Sequence, residues 1–253
     1  LNEIGETCGQ FCVELHAAWA IAKKDILIYY LKPNIIVSGA LFPLFMFLAF
    51  AIGRPAEPSS MIPGLIAITI LFSASSIEPV SIPIERRMKT FDRLISAPIS
   101  LHTVVLGESL SGFLYSIGIA FVPLLAGLLL FRTSVVSIWP LVLGLALTSF
   151  CFATMGTLLS AYPTESPGDI MSMLNLVRLP LIFVSGIFIP VSQIPPAGQF
   201  IVYLSPLTYG NDLIQAAYSG TTLFHPLADV AVLCVFILVF QFIANRLYKK
   251  FNE

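Results

Sequence analysis

Few side chains in this chain are placed to do bond chemistry. His16, His102 and His225 share no metal-ligand spacing. Cys8 and Cys12 stand one helical turn apart, with no third and fourth ligand beside them. Cys151 and Cys234 fall inside apolar runs and read as inert fillers. Hydrolysis within a bilayer would need a nucleophile with its base, or paired carboxylates, at membrane depth. The acidic candidates, Glu78 and Glu108, stand at the ends of long uncharged runs. That places them at the membrane edge, hydrated or paired with Arg86 or Arg93. No Gly-x-x-x-x-Gly-Lys-Ser/Thr phosphate loop occurs, so the sequence supplies no nucleotide site of that kind. These residues position or transmit; they do not make or break bonds.

The elements that carry them are apolar. Of 253 residues, 57% are hydrophobic and 11% charged, and the mean hydropathy is +0.91. Soluble domains carry about 25% charged residues, so this chain could not cover a water-facing surface. Thirteen basic and 14 acidic residues leave a net charge of −1, which excludes a nucleic-acid-binding domain. Four scattered cysteines make no disulfide framework. The composition is that of an all-α polytopic membrane protein forming one domain over residues 1–253.

A helix needs about 20 apolar residues to cross the hydrocarbon layer. Six runs qualify: Pro33–Gly53, Pro58–Ile77, Ser109–Phe131, one inside Thr133–Thr164, about Ile170–Ile189, and Val230–Asn245. Lysines and arginines favour cytoplasmic loops. Ten of the 13 flank the first, second and sixth runs on one side: Lys23, Lys24, Lys32, Arg86, Arg87, Lys89, Arg93, Arg246, Lys249 and Lys250. Only Arg54 and Arg132 fall in opposite loops. Both termini are therefore expected in the cytoplasm of a cell that holds the chain in its cytoplasmic membrane. Trp139 and Tyr162 bracket the fourth run, about 34 Å apart along a helix, which suits one aromatic anchor per interface. Glu3, Glu6 and Glu14 with no base among them do not make the positive start of a secretory signal.

Three stretches exceed what six simple spans need. Residues 12–32 are too charged to cross but carry Leu15, Trp19, Ile26, Tyr29 and Tyr30. They predict a helix lying in the headgroup plane, with Lys23, Lys24 and Asp25 on its other side. In residues 82–100, Ile84, Met88, Phe91 and Ile95 recur on one face of a predicted amphipathic helix. Pro83 and Pro98 punctuate its ends. Glu85 precedes Lys89 by four, the favourable order for a helical ion pair. Such a helix either meets a partner or merely rests on lipid. Residues 190–227 hold short apolar pieces around Ser205 and Pro206, and Asn211 is placed to cap a helix over 212–218. This outer connection packs on the span ends or re-enters the leaflet.

One charge lies within a run. Arg178 shares a helical face with Met171, Asn175, Ile182 and Ser185. It either faces a cavity or partner, or snorkels to the interface. Phe72, Ser73, Ser75, Ser76, Asn175, Arg178 and Ser185 together offer a mixed apolar and hydroxyl route for amphipathic molecules. Gly112, Ser116 and Ala120 form a small-residue stripe that serves either internal packing or a dimer seam.

These stretches, in this order around six spans, resemble the permeases of type 2 ATP-binding cassette exporters, and among them the compact multidrug-resistance (daunorubicin-resistance-like) permeases. The likeness covers nearly the whole chain. Its most specific part is Glu85, Arg86, Thr90, Asp92, Leu94 and Pro98, similar to the family's Glu-Arg-Glu-x-Gly-Thr loop with its acid, leucine and Ser/Thr-Pro. Arg87 and Lys89 depart from it, where the family more often has an acid and a glycine. A second match is SGIFIPVSQIPP with SPLTYGNDLIQ, over 185–196 and 205–215. The resemblance implies an elbow helix over 12–32, and a coupling helix over 82–100 that docks on a cytoplasmic ATPase. It gives Glu85, Arg86, Arg87, Met88, Thr90, Phe91, Asp92, Leu94 and Pro98 that coupling role. It further implies a homodimer with two ATPase chains that hold ATP and Mg, exporting amphipathic compounds. Export of a lipid-linked glycan or lipid, or a non-transporting assembly or anchoring role, are the alternatives.

Overall fold

The computed structural model describes residues 2–30, 41, 44–45, 58–129, 131–188, 191 and 196–252. Among them the secondary structure is helical, without strands. The helices are α1 (Asn2–Asp25, passing into a π-helical turn Ile26–Tyr30), α2 (Pro58–Ala74), α3 (Glu78–Arg87), α4 (Thr90–Ile95) and α5 (Leu101–Leu129). After these come α6 (Ile138–Ser160), α7 (Pro167–Val184), α8 (Pro196–Tyr203), α9 (Pro206–Ser219) and α10 (Pro226–Asn252). Among the described residues, five stretches are long and apolar enough to cross a membrane: Met61–Arg87, Leu101–Leu129, Ile138–Ser160, Pro167–Val184 and Pro226–Phe251. The expected first span, Pro33–Gly53, lies outside the described residues.

α2 is the core of the bundle. Ile66, Ala67, Ile68, Ile70, Leu71 and Ala74 are fully buried, so the helix is apolar on every side, the mark of an enclosed helix. It packs on α5, α6 and α9. α9 is as enclosed as α2: Pro206 to Tyr218 are buried except Gln215. At about 21 Å it is too short to span, and it lies against α6, α2 and α10. Gly144 permits that approach, because a Cβ there would stand 2.9 Å from Ile214 Cγ1 and 3.1 Å from Leu213 Cβ. The backbone N–H of Val136, in the approach to α6, donates to the Ala217 carbonyl at 2.7 Å.

Asn211 does not cap this helix, contrary to expectation. The helix starts six residues earlier, where Ser205 occupies the cap position and Pro206, needing no N–H partner, opens the first turn. Asp212, unremarked in the sequence, fastens the exit from α9. Its carboxylate accepts the Leu223 N–H at 2.8 Å and the Phe224 N–H at 2.9 Å.

The small-residue stripe serves internal packing. Ser116 and Ala120 are buried, and a Cβ on Gly112 would meet the Ala74 carbonyl at 2.6 Å as well as the Glu78 carboxylate. Gly156 of α6 closes the same slot from the other side: its Cβ would stand 2.9 Å from Glu78 Oε2 and 2.9 Å from Ser75 Cα. Gly156→Ala is therefore expected to destabilise the fold by about 1–3 kcal/mol, since Ser75 is backbone that cannot step aside. Gly118 has open space about it. Gly118→Ala should leave stability unchanged or raise it by up to about 1 kcal/mol. Thermal unfolding of the two variants in the same detergent makes the comparison.

Candidate functional site

Six helices converge at one end of the bundle. The end of α1, the pair α3–α4, the start of α5 and the ends of α6 and α10 share a buried apolar cluster that includes Ile21, Ile82, Phe91, Val104, Ala161 and Tyr248. At its centre the expected single amphipathic helix over 82–100 is instead two. α3 begins at Glu78, straight after a turn at 75–77, so Pro83 falls inside a helix rather than at its start. Met88 and Lys89 then close α3, their N–H groups donating to Ile84 and Arg86 carbonyls at 3.0 Å each. Lys89 takes the left-handed conformation, φ 58°, before α4 resumes at Thr90. Left-handed backbone suits glycine, and this is a position where Lys89 departs from the resembled pattern.

The break sorts the residues by direction. Phe91 is 1% exposed, its ring centroid 5.9 Å from that of Tyr248. The Arg86 guanidinium lies 5.3 Å from the Phe91 ring centre. It donates to the Tyr162 carbonyl, and to the Ala161 carbonyl at 3.3 Å. Those carbonyls end α6, where a helix leaves acceptors unpaired and its dipole favours a cation. Tyr248 donates its hydroxyl proton to the Thr157 carbonyl at 3.2 Å. Thr90 Oγ1 donates to the Glu85 carbonyl at 3.2 Å. Glu85, Arg86 and Phe91 thus fasten the segment to the bundle. Arg87, Met88, Lys89, Asp92, Arg93 and Pro98 are exposed, and Leu94 is half-buried. Met88 does not share the apolar face: it is 64% exposed, because the left-handed residue turns α4 away from the register of α3.

Glu85 does not pair with Lys89. It takes the Lys24 ammonium of α1 at 2.6 Å, and the Tyr29 hydroxyl donates to the same oxygen at 3.5 Å. Lys24 lies also 3.1 Å from Asp25 and 3.8 Å from Glu108. The charged side of α1 therefore turns inward, reversing the expectation that Lys24 and Asp25 face away. Trp19, Leu15 and Val13 are exposed instead. Gly107 of α5 allows the contact, as a Cβ there would reach Ile21 Cβ at 2.9 Å and the Ala18 carbonyl at 3.0 Å. Burial lowers the proton affinity of Lys24, but Glu108, Asp25 and Glu85 outweigh it and hold the ammonium above its usual value. Burial pushes Asp25 up to about 6 against the pull of Lys24, and pushes Tyr29 up to about 12.

Glu78 and Glu108 correct a second expectation. They are 0% and 1% exposed, inside the bundle rather than at a hydrated edge, and neither meets Arg86 or Arg93 among the described ion pairs. Two glycines, Gly112 and Gly156, make the room for Glu78.

Arg178 is 1% exposed and faces a protein partner. Its Nε donates to Ser75 Oγ at 3.0 Å. Its Nη2 donates to Ser75 Oγ at 2.7 Å, Ser76 Oγ at 2.9 Å and the Phe72 carbonyl at 3.3 Å. The guanidinium carbon is 5.1 Å from the Phe72 ring centre. Phe72 is in the last turn of α2 and Ser75 and Ser76 in the turn that follows it, so the cation caps a buried helix terminus. Ser73 and Ser185 are buried, and each donates to a carbonyl of its own helix. Of the expected route residues, only Asn175 is exposed, on the apolar outer face of α7 with Leu176, Leu179 and Phe183. The route residues are not brought together around an open path.

The residues that sequence reasoning missed are Asp25, Tyr248 and the inward-facing Lys24. Their signal was faint: a charge pair and a tyrosine at the basic ends of apolar runs, where hydrated positions are the rule. Lys24→Met leaves three carboxyl groups facing each other and is expected to cost about 3–5 kcal/mol, read by thermal unfolding. Arg178→Leu strips the end of α2 of its donor and should cost about 1–3 kcal/mol. Lys89→Gly relieves the left-handed backbone and is expected to gain about 1 kcal/mol in the same assay.

The family described as "ABC-2 type transporter" matches residues 16–219. Nodulation protein J of Rhizobium meliloti (strain 1021) is 26% identical over 193 residues, covering 74% of this chain and 71% of that protein. Nodulation protein J of Rhizobium leguminosarum bv. trifolii is 27% identical over 248 residues, covering 93% and 90%. The inner membrane transport permease YadH of Escherichia coli (strain K12) is 25% identical over 191 residues, covering 75% and 74%. The match takes in α3, α4 and their fastenings to α1, α5 and α6, and the chain belongs to the ABC-2 type transporter family of multi-pass membrane permeases.

Proposed function

We propose that this chain is the permease subunit of an ATP-driven exporter, working as a homodimer with two ATPase chains that carry ATP and Mg. The observation behind this reading is the division of the 78–98 segment into two sides. Its inner side is tied to α1 by Glu85, to α6 by Arg86 and to α10 by Phe91. Its outer side offers Arg87, Met88, Lys89, Asp92 and Arg93 with no covering from the bundle. A segment built this way passes a push on its exposed side into three helices at once. The family normally works with a cytoplasmic ATPase subunit, and the basic outer side supplies a docking face for one. The segment, with both termini, then lies at the cytoplasmic face; α1 is the elbow helix and α9 the re-entrant piece.

The cargo in this reading is amphipathic, drug-like or lipid-like. The outer face of α7 supports it, since Asn175 stands there among exposed Leu176, Leu179 and Phe183. Two such faces meeting across a homodimer would make an apolar path with a polar group in each wall. Arg178, Ser73 and Ser185 hold that wall together from behind rather than touching cargo.

The test uses the permease purified from its native membrane with its partners. Wild-type preparations should carry ATP hydrolysis, stimulated by an amphipathic compound in lipid nanodiscs. Arg87→Glu with Arg93→Glu should weaken ATPase association about tenfold or more, about 1.4 kcal/mol, without changing the melting temperature. Phe91→Ala should instead lower the melting temperature. A permease that moves amphiphiles with no ATPase attached, or hydrolysis indifferent to the double charge reversal, contradicts the reading.

A further inference from the structure

The contact between α1 and α5 contains an arrangement that ordinary ion pairing does not complete. Asp25 and Glu108 are 0% and 1% exposed. Their carboxyl groups face the same Lys24 ammonium, Asp25 Oδ1 at 3.1 Å and Glu108 Oε1 at 3.8 Å, which sets them beside each other. Asp25 Oδ1 has the Lys24 ammonium at 3.1 Å, a contact without hydrogen-bond alignment, and neither Oδ2 of Asp25 nor Oε1 or Oε2 of Glu108 finds a hydrogen-bond donor among the described residues. Two ionised carboxylates are acceptors only, and facing each other in a buried place they repel. One proton between them turns the pair into a donor and an acceptor.

The surroundings show why one lysine is insufficient. Lys24 contributes a single positive charge to Asp25, Glu85 and Glu108, and its shortest contact, 2.6 Å, goes to Glu85. Glu108 lies 3.8 Å away, beyond a hydrogen bond. The other ionisable groups facing the pair add no cation. α3 contributes Glu85 and Glu78, the π-helical turn Tyr29, and α10 Tyr248. With every carboxyl near Lys24 ionised, the group would hold three negative charges against one positive.

We propose that Asp25 and Glu108 form a proton-binding site, one proton shared between them, which clamps α1 onto α5 and leaves Lys24 committed to Glu85. The Lys24 side chain is 30% exposed, which gives the site an edge toward solvent. The clamp is proton-dependent, and Asp25 sets its direction. Burial raises that carboxyl from 3.8 to about 6, with Glu85 adding to the rise and Lys24 opposing it. An acid whose affinity is raised by folding stabilises the folded arrangement most at low pH. The Asp25 share of that contribution falls as pH climbs from about 4 through about 6. Full release would leave Lys24, 3.1 Å from Asp25 and 2.6 Å from Glu85, divided among three carboxylates, and loosen the tie between α1 and α3. The site rests on the packing of α1 against α5 and is independent of the transported cargo.

Infrared spectroscopy of the full chain in lipid nanodiscs reads the bound proton directly. The wild type should show a protonated-carboxyl C=O band that shifts in heavy water and weakens as the pH is raised from about 5 to about 8. Asp25→Asn and Glu108→Gln each supply an amide donor in place of the proton, and each should remove the same component of that band. Both should also flatten the fall in melting temperature that the wild type shows over this range. The band of other buried acids persists in both variants and cancels in the difference spectra. A wild-type spectrum with no pH-sensitive protonated-carboxyl component overturns the proposal. So does a component that survives both substitutions unchanged. Should one variant fail to accumulate, the difference spectrum of the other decides.

Discussion

The ammonium of Lys24 sits 2.6 Å from the Glu85 carboxylate, and that contact joins the first helix to the segment between the second and third apolar runs. Around it the same end of the bundle is tied three more times. Arg86 caps α6, Phe91 stacks beside Tyr248 of α10, and Ile21 and Val104 fill the space between α1 and α5. A buried ion pair is weak evidence for stability in itself, because desolvation offsets most of its attraction. Its value here is directional. It fixes which side of the 78–98 segment faces the bundle, and so which side remains outside.

Helix termini carry much of the remaining polarity. Arg178 serves the end of α2, Arg86 serves the end of α6, and Glu78 stands in the first turn of α3, where the dipole favours an acid. Arg178 and Glu78 are buried and Arg86 half-buried, each at a helix end where backbone groups lack partners within the helix. In a chain with so few charges, these placements let α2 stop, turn and continue as α3 inside the bundle. They also separate two arginines of one basic loop: Arg86 is a structural tie, whereas Arg93 is exposed.

The apolar runs were legible because a bilayer imposes a length and a composition on each crossing. Met61–Arg87, Leu101–Leu129 and Ile138–Ser160 stand where those runs lie, with Trp139 and Tyr162 exposed at opposite ends of α6. The side of each helix was harder to read. Periodicity joined Ile84, Met88, Phe91 and Ile95 into one face, but it assumes one uninterrupted helix, and Lys89 at φ 58° breaks it. Periodicity also placed Lys24 and Asp25 opposite Trp19. Nothing local in the sequence reveals that Glu85 and Glu108, distant along the chain, make the inward side of α1 the charged one. Arg178 was recognisable as exceptional from its depth alone; its partners were not, since hydroxyls and carbonyls at a helix end leave no pattern.

On this account the 78–98 segment moves as one body with the bundle that it is tied to. Spin labels at Met88 and Tyr162, both exposed, would report on it by pulsed distance measurement in the proposed complex with an ATPase. Within one chain the distance should stay constant between nucleotide-free and ATP-trapped states, while the Met88 to Met88 distance across the proposed dimer changes. A Met88 to Tyr162 distance that alters with nucleotide, with the dimer distance unchanged, would contradict the account.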